Sequence, residues 1–132
     1  MDIKELSNLY YIKKEIERLE EELDEITEIG SSVIDGMPHN SNYSDKVQQL
    51  VIKKQDLMSK IIKKQIAYID EKSKIEHFID NIDDSKVRYI ARLRFIDFKN
   101  WYEIADEITP ENKKLVNRNA PYMLLKRYFE KK

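Results

Sequence analysis

From Leu9 the apolar residues recur at Leu9, Ile12, Ile16, Leu19, Leu23 and Ile26, in alternating steps of three and four. That rhythm predicts a helix with one narrow apolar seam, the pattern of a coiled coil. Asp2 and Glu5 are spaced as a capping box at its start, and Gly30 stands where a left-handed residue would close it. The stretch 30–43, GSSVIDGMPHNSNY, holds both glycines and Pro38 and has neither a helical nor a strand period. It is predicted to be a loop.

Ser44 is placed to cap a second helix that runs to about Ile82, some 39 residues and so roughly 58 Å at 1.5 Å per residue. Its apolar positions form two adjacent stripes. Val47, Leu50, Leu57, Ile61, Tyr68, Ile75 and Ile82 make one, and Val51, Met58, Ile62 and Ile69 make the other. One helix with two stripes serves two neighbours. The first helix, folded back antiparallel, takes one stripe, which leaves Val51, Met58, Ile62 and Ile69 as a candidate homodimer contact or a face for the C-terminal unit. Lys54, Gln65 and Lys72 lie between the stripes. Two readings stand for them: lysine stems that snorkel toward the glutamates of the first helix, or polar seam residues that set register and oligomeric state.

Asp83 and Asp84 suit a helix start, after which Val87, Ile90, Leu93 and Ile96 step by threes to a stop near Asp97 and Phe98. Asn100 opens a short helix, Trp101 to Ile108, with Glu103 at capping-box spacing and Trp101, Ile104, Ala105 and Ile108 facing inward. Pro110 drives Thr109 out of the helical region and ends it. A continuous helix from Glu111 would bury Pro121 in its interior at a cost of about 3 kcal/mol. The preferred reading puts Asn119 at the N-cap, with Ala120 and Pro121 in the first turn and residues 109–118 as an extended turn, with room for a helical turn at 113–116. Leu124, Leu125, Tyr128 and Phe129 then face inward, and Tyr122, Met123, Lys126 and Arg127 face out. Three short helices with a basic last one outline a helix-turn-helix.

The composition narrows the function. Two glycines in 132 residues leave no Rossmann fingerprint or Walker loop, and the absence of cysteine excludes disulfides, thiolate zinc sites and a cysteine nucleophile. The polar N-terminus and the lack of any long apolar run predict a cytoplasmic protein without a membrane span. A formal charge of −1 hides a gradient, from −6 over residues 1–29 to +4 over residues 81–132. Seven bases against two acids fill residues 111–132. An acidic head and a basic tail direct the tail alone toward a polyanion.

The run Leu93-Arg94-Phe95-Ile96-Asp97 followed by Lys99-Asn100-Trp101-Tyr102-Glu103-Ile104-Ala105-Asp106-Glu107-Ile108 resembles the first two helices of sigma-factor region 4. It is most similar to the version in small phage-encoded regulators of Gram-positive prophages, the ArpU-like and related proteins. Gly36-Met37-Pro38-His39 and Ser44-Asp45-Lys46-Val47 resemble the loop and second-helix start of that group, and the layout, a long helical hairpin ahead of the module, is similar too. Phe98 departs from the pattern by standing where a glycine is expected, and Thr109-Pro110 replaces the usual glycine-containing turn.

The resemblance implies an all-α regulator with a helical hairpin and dimerisation region at 1–82 and a DNA-binding helix-turn-helix at 83–132, in a bacterial host cell. On that reading Asn119, Tyr122, Met123 and Lys126 face base edges of double-stranded DNA, and Lys113, Lys114, Arg118, Arg127 and Lys131 hold phosphates. RNA polymerase is a further expected partner. Two alternatives remain: a packaging protein of small-terminase type, and an adaptor that binds RNA polymerase without touching DNA. The remaining polar residues read as surface. The acids from Glu20 to Glu28 fall mostly outside the seam; Asp80, Asp83 and Asp84 lack the glycine and terminal glutamate of a calcium loop; His39 and His77 have no second ligand at metal spacing. No catalytic constellation, metal site or cofactor is expected.

Overall fold

The computed structural model of the chain describes residues 1–34, 41–109, 117 and 119–131, with side chains given for 1–30 and from 44 onward. The described residues form five helices and no strand: α1 (Ile3–Ile34), α2 (Ser41–Asp80), α3 (Ser85–Phe95), α4 (Trp101–Ile108) and α5 (Asn119–Glu130). The chain is therefore all-α, as the periodicity predicts. No described helix is long and apolar enough to cross a membrane.

The chain divides into two compact units, Met1–Tyr11 with Ile69–Lys132, and Ile12–Tyr68. The division falls inside α1 and α2, whereas the sequence pattern places a boundary after Ile82. In the unit Ile12–Tyr68, Ile26, Leu57 and Ile61 are buried. Ile26, Thr27 and Gly30 border one cavity with Val47, Leu50, Val51 and Lys54. Glu15, Leu19 and Glu22 border another with Lys60, Lys63 and Lys64. Residue numbers thus rise along one segment as they fall along the other.

Several boundaries differ from expectation. Gly30 does not end α1, which continues to Ile34; a single glycine costs a helix about 1 kcal/mol, too little to stop propagation by itself. Ser44 is not a cap, because α2 begins three residues earlier at Ser41. Of the expected loop 30–43, residues 30–34 and 41–43 are helical and 35–40 lie outside the described residues. Ile82 lies beyond α2, which ends at Asp80 in a tightened turn: Asn81 N donates to Phe78 O at 3.2 Å and Ile82 N to Ile79 O at 3.0 Å. The side chain of Ile82 is still buried. Among the described ion pairs, Lys64 reaches α1, 2.6 Å from Glu15, and Lys54 borders a cavity with Ile26, Thr27 and Gly30. Lys72 instead lies 4.0 Å from Glu76 of its own helix.

The other unit holds most of the core. Leu6, Leu9, Ile75, Ile79, Ile90, Ile104 and Leu125 are fully buried. Helices α3, α4 and α5 each pack on the other two. Ile90, Leu93 and Ile104 form the centre, with Trp101, Ile108 and Leu124 against it. Local chemistry sets the starts of α3 and α4 as the sequence predicts. Asp84 Oδ1 accepts from Lys86 N at 2.9 Å and Val87 N at 3.2 Å. Asn100 Oδ1 accepts from Glu103 N at 2.8 Å. Each removes an amide that would otherwise lack a partner.

Candidate nucleic-acid interface

The turn from α3 to α4 fixes how those two helices meet. Ile96 N and Asp97 N both donate to Arg92 O, at 3.0 and 3.1 Å, and Lys99 N donates to Leu93 O at 3.0 Å. This reversal needs a left-handed residue, and Phe98 supplies it at φ 58°. Glycine adopts this conformation at least cost, and here a residue with a side chain holds it. Arg94 Nη1 donates to Lys99 O at 3.1 Å and ties the turn to α3.

The start of α5 differs from expectation by a small step. Asn119 is the first helical residue, and its N–H donates to Asn117 Oδ1 at 3.1 Å, while Ala120 N donates to Asn117 O at 2.8 Å. Asn117, not Asn119, supplies the capping oxygen. The physical reason is that an asparagine two residues upstream closes the same turn with its side chain. Pro121 lies in the first turn and is fully buried, where a missing N–H is harmless.

Asn119, Tyr122, Met123 and Lys126 recur at helical spacing along α5 and are all exposed, Tyr122 at 37% and Met123 at 40%. Arg127 and Lys131 are exposed as well. Lys113, Lys114 and Arg118 lie outside the described residues. The inward side of α5 is Pro121, Leu124, Leu125, Tyr128 and Phe129, with the Phe129 ring stacked on Phe78 at 6.0 Å.

Tyr122 is not alone on its face. Its ring meets Trp101 edge to face at 5.4 Å, and the Arg94 guanidinium lies 4.7 Å from the Trp101 ring centroid. An arginine of α3, the indole of α4 and a phenol of α5 thus form one stack, held by cation–π and edge-to-face attraction. Sequence reading did not single out Arg94. Its signal, a base seven residues before a tryptophan, means nothing until the turn at Phe98 folds α4 back. Asn100, Trp101, Tyr102 and Asn119 line an open groove of about 440 Å³ where α4 and α5 begin.

A cluster on the outer side of α3 and α4 sets the charge there. Lys99 Nζ lies 2.5 Å from Glu107 Oε1, and the Tyr89 hydroxyl donates to Glu107 Oε2 at 3.2 Å. Hydrogen bonds from Lys99 and then Tyr89 hold the Glu107 carboxyl below its ordinary range. The bond to Glu107 raises both Lys99 and Tyr89. Lys99 is thereby matched by a carboxylate.

No group of three or more histidine or acidic side chains at metal-binding distance occurs among the described residues. Val51, Met58, Ile62 and Ile69, the second stripe of α2, are exposed. Compared with protein-family models, curated proteins and solved structures, the chain matches none.

Proposed function

We propose that the chain is a phage or prophage transcriptional regulator of the sigma-region-4-like kind, which binds double-stranded DNA through a helix-turn-helix formed by α4 and α5. It acts in the bacterial cytoplasm as a homodimer through a hairpin of α1 and α2. The observation that carries this reading is the outward face of α5. Asn119, Tyr122, Met123 and Lys126 share one exposed side of a helix that is packed on α3 and α4, which is the geometry by which a recognition helix enters a major groove. Arg127 and Lys131, with Lys113, Lys114 and Arg118, supply positive charge for phosphates.

A gel-shift titration on duplex fragments at several salt concentrations tests it. Binding that weakens steeply with salt, and one fragment preferred over random duplex, supports the regulator. No salt-sensitive binding to any duplex overturns it.

A second reading has one observation in its favour. Tyr102 is 60% exposed and sits on the same groove as Trp101 and Asn119, Trp101 meets the exposed Tyr122, and Met123 beside it in sequence is exposed too. An aromatic and methionine surface of this kind suits a protein partner such as RNA polymerase. Pull-down of purified polymerase together with a failed gel shift selects the adaptor.

A further inference from the structure

The exposed stripe of α2 is symmetric in sequence about one residue. Val51 and Ile69 lie nine positions to either side of Lys60, Gln55 and Gln65 five, and Met58 and Ile62 two. In heptad terms Gln55, Ile62 and Ile69 occupy one seam position, and Val51, Met58 and Gln65 the other. Running two copies of the helix in opposite directions about Lys60 brings each residue of the first set level with one of the second. Val51 then meets Ile69 of the second copy, Met58 meets Ile62, and Gln55 meets Gln65. Every apolar residue lands on an apolar residue, and the two carboxamides can donate to and accept from each other. Sliding the copies by one heptad breaks this match: in one direction Gln55 faces Lys72 and Gln65 faces Ile62, and in the other Gln55 faces Met58 and Ile69 faces Ser44.

From this arrangement we infer that two copies of the chain associate antiparallel along α2, about a two-fold axis at Lys60; the inference rests on the homodimer reading above and gives it an orientation and a register. Three observations argue for a second copy as the occupant. The first is area: Val51, Ile52, Met58, Ile62, Ile66 and Ile69 are between 46% and 65% exposed. At on the order of 100 Å² each, two copies would bury roughly 1,200 Å², the lower bound of a standard interface. The second is that Ile52 and Ile66 fall on one flank of the seam, with Ser59 between them, and the antiparallel register sets Ile52 beside Ile66 of the second copy. The third is charge. In the antiparallel register Lys72 comes level with Gln48 and Glu76 with Ser44 of the second copy, so no like charges oppose each other along the seam. A parallel pair in register would instead oppose Lys72 to Lys72 and Glu76 to Glu76 across the seam, and like charges there are unfavourable. The face toward α1 is already used, since Leu57 and Ile61 are buried.

The chain contains no cysteine, so a single introduced thiol reports position cleanly. Gln55→Cys and Gln65→Cys are exposed substitutions that leave the core untouched. Wild-type protein at micromolar concentration is first sized by light scattering, and a dimer is expected. Each variant is then oxidised alone and after mixing. The expected result is no cross-linked species from either variant alone and linkage of about half the dimers in the mixture, the statistical share for a two-fold interface. Self-linkage of Gln55→Cys or Gln65→Cys overturns the antiparallel orientation while the dimer stands. A dimer with no linkage in any mixture places the interface elsewhere and also overturns it. A monomer overturns the dimer itself and assigns the stripe to a different protein, leaving the DNA reading to the gel shift.

Discussion

Phe98 and Tyr10 meet edge to face, with ring centroids 5.7 Å apart and planes at 64°. The contact joins the only described non-glycine residue of positive φ, in the turn between α3 and α4, to a side chain of α1. A left-handed residue with a Cβ costs roughly 1–2 kcal/mol, and an aromatic pair returns about 0.5–1.5 kcal/mol beyond its burial. The two effects are of the same size, so the ring offsets the backbone it sits on.

Phe98 therefore separates ring from backbone by substitution. Phe98→Ala loses the ring and keeps the left-handed cost, whereas Phe98→Gly loses the ring and relieves the cost. In urea unfolding Phe98→Gly is expected to be more stable than Phe98→Ala by about 1 kcal/mol. The reverse order would mean that the turn does not hold this conformation.

Gly30 is the converse case. It lies inside α1, and a Cβ added there meets nothing within 4 Å. Gly30→Ala should stabilise the protein by about 0.5–1 kcal/mol and raise its Tm. A left-handed cap at Gly30 would give the opposite sign, so a fall in Tm restores the C-cap.

The capping oxygen of α5 belongs to Asn117. Asn117→Ala is expected to cost on the order of 1 kcal/mol, and Asn119→Ala, in the first turn where alanine is accepted, much less. Equilibrium unfolding of the two variants decides the matter, and a larger loss for Asn119→Ala would return the cap to that residue.

The Lys99–Glu107 pair, joined by Tyr89, makes stability depend on pH at both ends. The Glu107 carboxyl is held below its usual value of 4.5 by Lys99 and Tyr89, so its contribution is present above that value and is lost as pH falls through the lowered one. Lys99 is raised above 10.5 by Glu107, so its share is present below that value and is lost as pH rises past the raised one. The Tm difference between wild type and Glu107→Gln should be flat through neutral pH, shrink as the carboxyl takes up its proton in acid and shrink again as the lysine loses its own in base. A difference that grows on acidification would show that the pair is not formed.

If DNA is the ligand, log affinity falls linearly with log salt at a slope near −0.9 per phosphate contact. Lys113→Ala and Arg127→Ala should each reduce that slope by about one and weaken binding to all duplexes alike. Tyr122→Ala and Lys126→Ala should instead narrow the gap between the preferred site and random DNA. Tyr122→Ala also removes the edge contact with Trp101, so Tyr122→Phe, which keeps the ring, separates packing from base contact. Loss of discrimination in Tyr122→Ala with none in Tyr122→Phe assigns the effect to the ring.

What the sequence determined by itself is what a few neighbouring residues decide. Steps of three and four predicted α1 and α2, and Asp84 and Asn100 marked the starts of α3 and α4, because an oxygen that serves an amide two or three positions on needs no other part of the chain. The exposed and inward sides of α5 followed from periodicity in the same way. Where a choice lay between two locally equal options, the tertiary structure made it. Leu57 and Ile61 became core and Met58 and Ile62 stayed exposed, although both stripes carry the same helical spacing; burial depends on which face finds a neighbour. Gly30 stayed helical, and Phe98 took a conformation its Cβ resists, since each cost is about 1 kcal/mol and smaller than what the surrounding packing provides. The stack of Arg94, Trp101 and Tyr122 and the Lys99–Glu107–Tyr89 cluster have no sequence signature, because their members come from different helices and the fold of the turn at Phe98 brings α3 and α4 side by side.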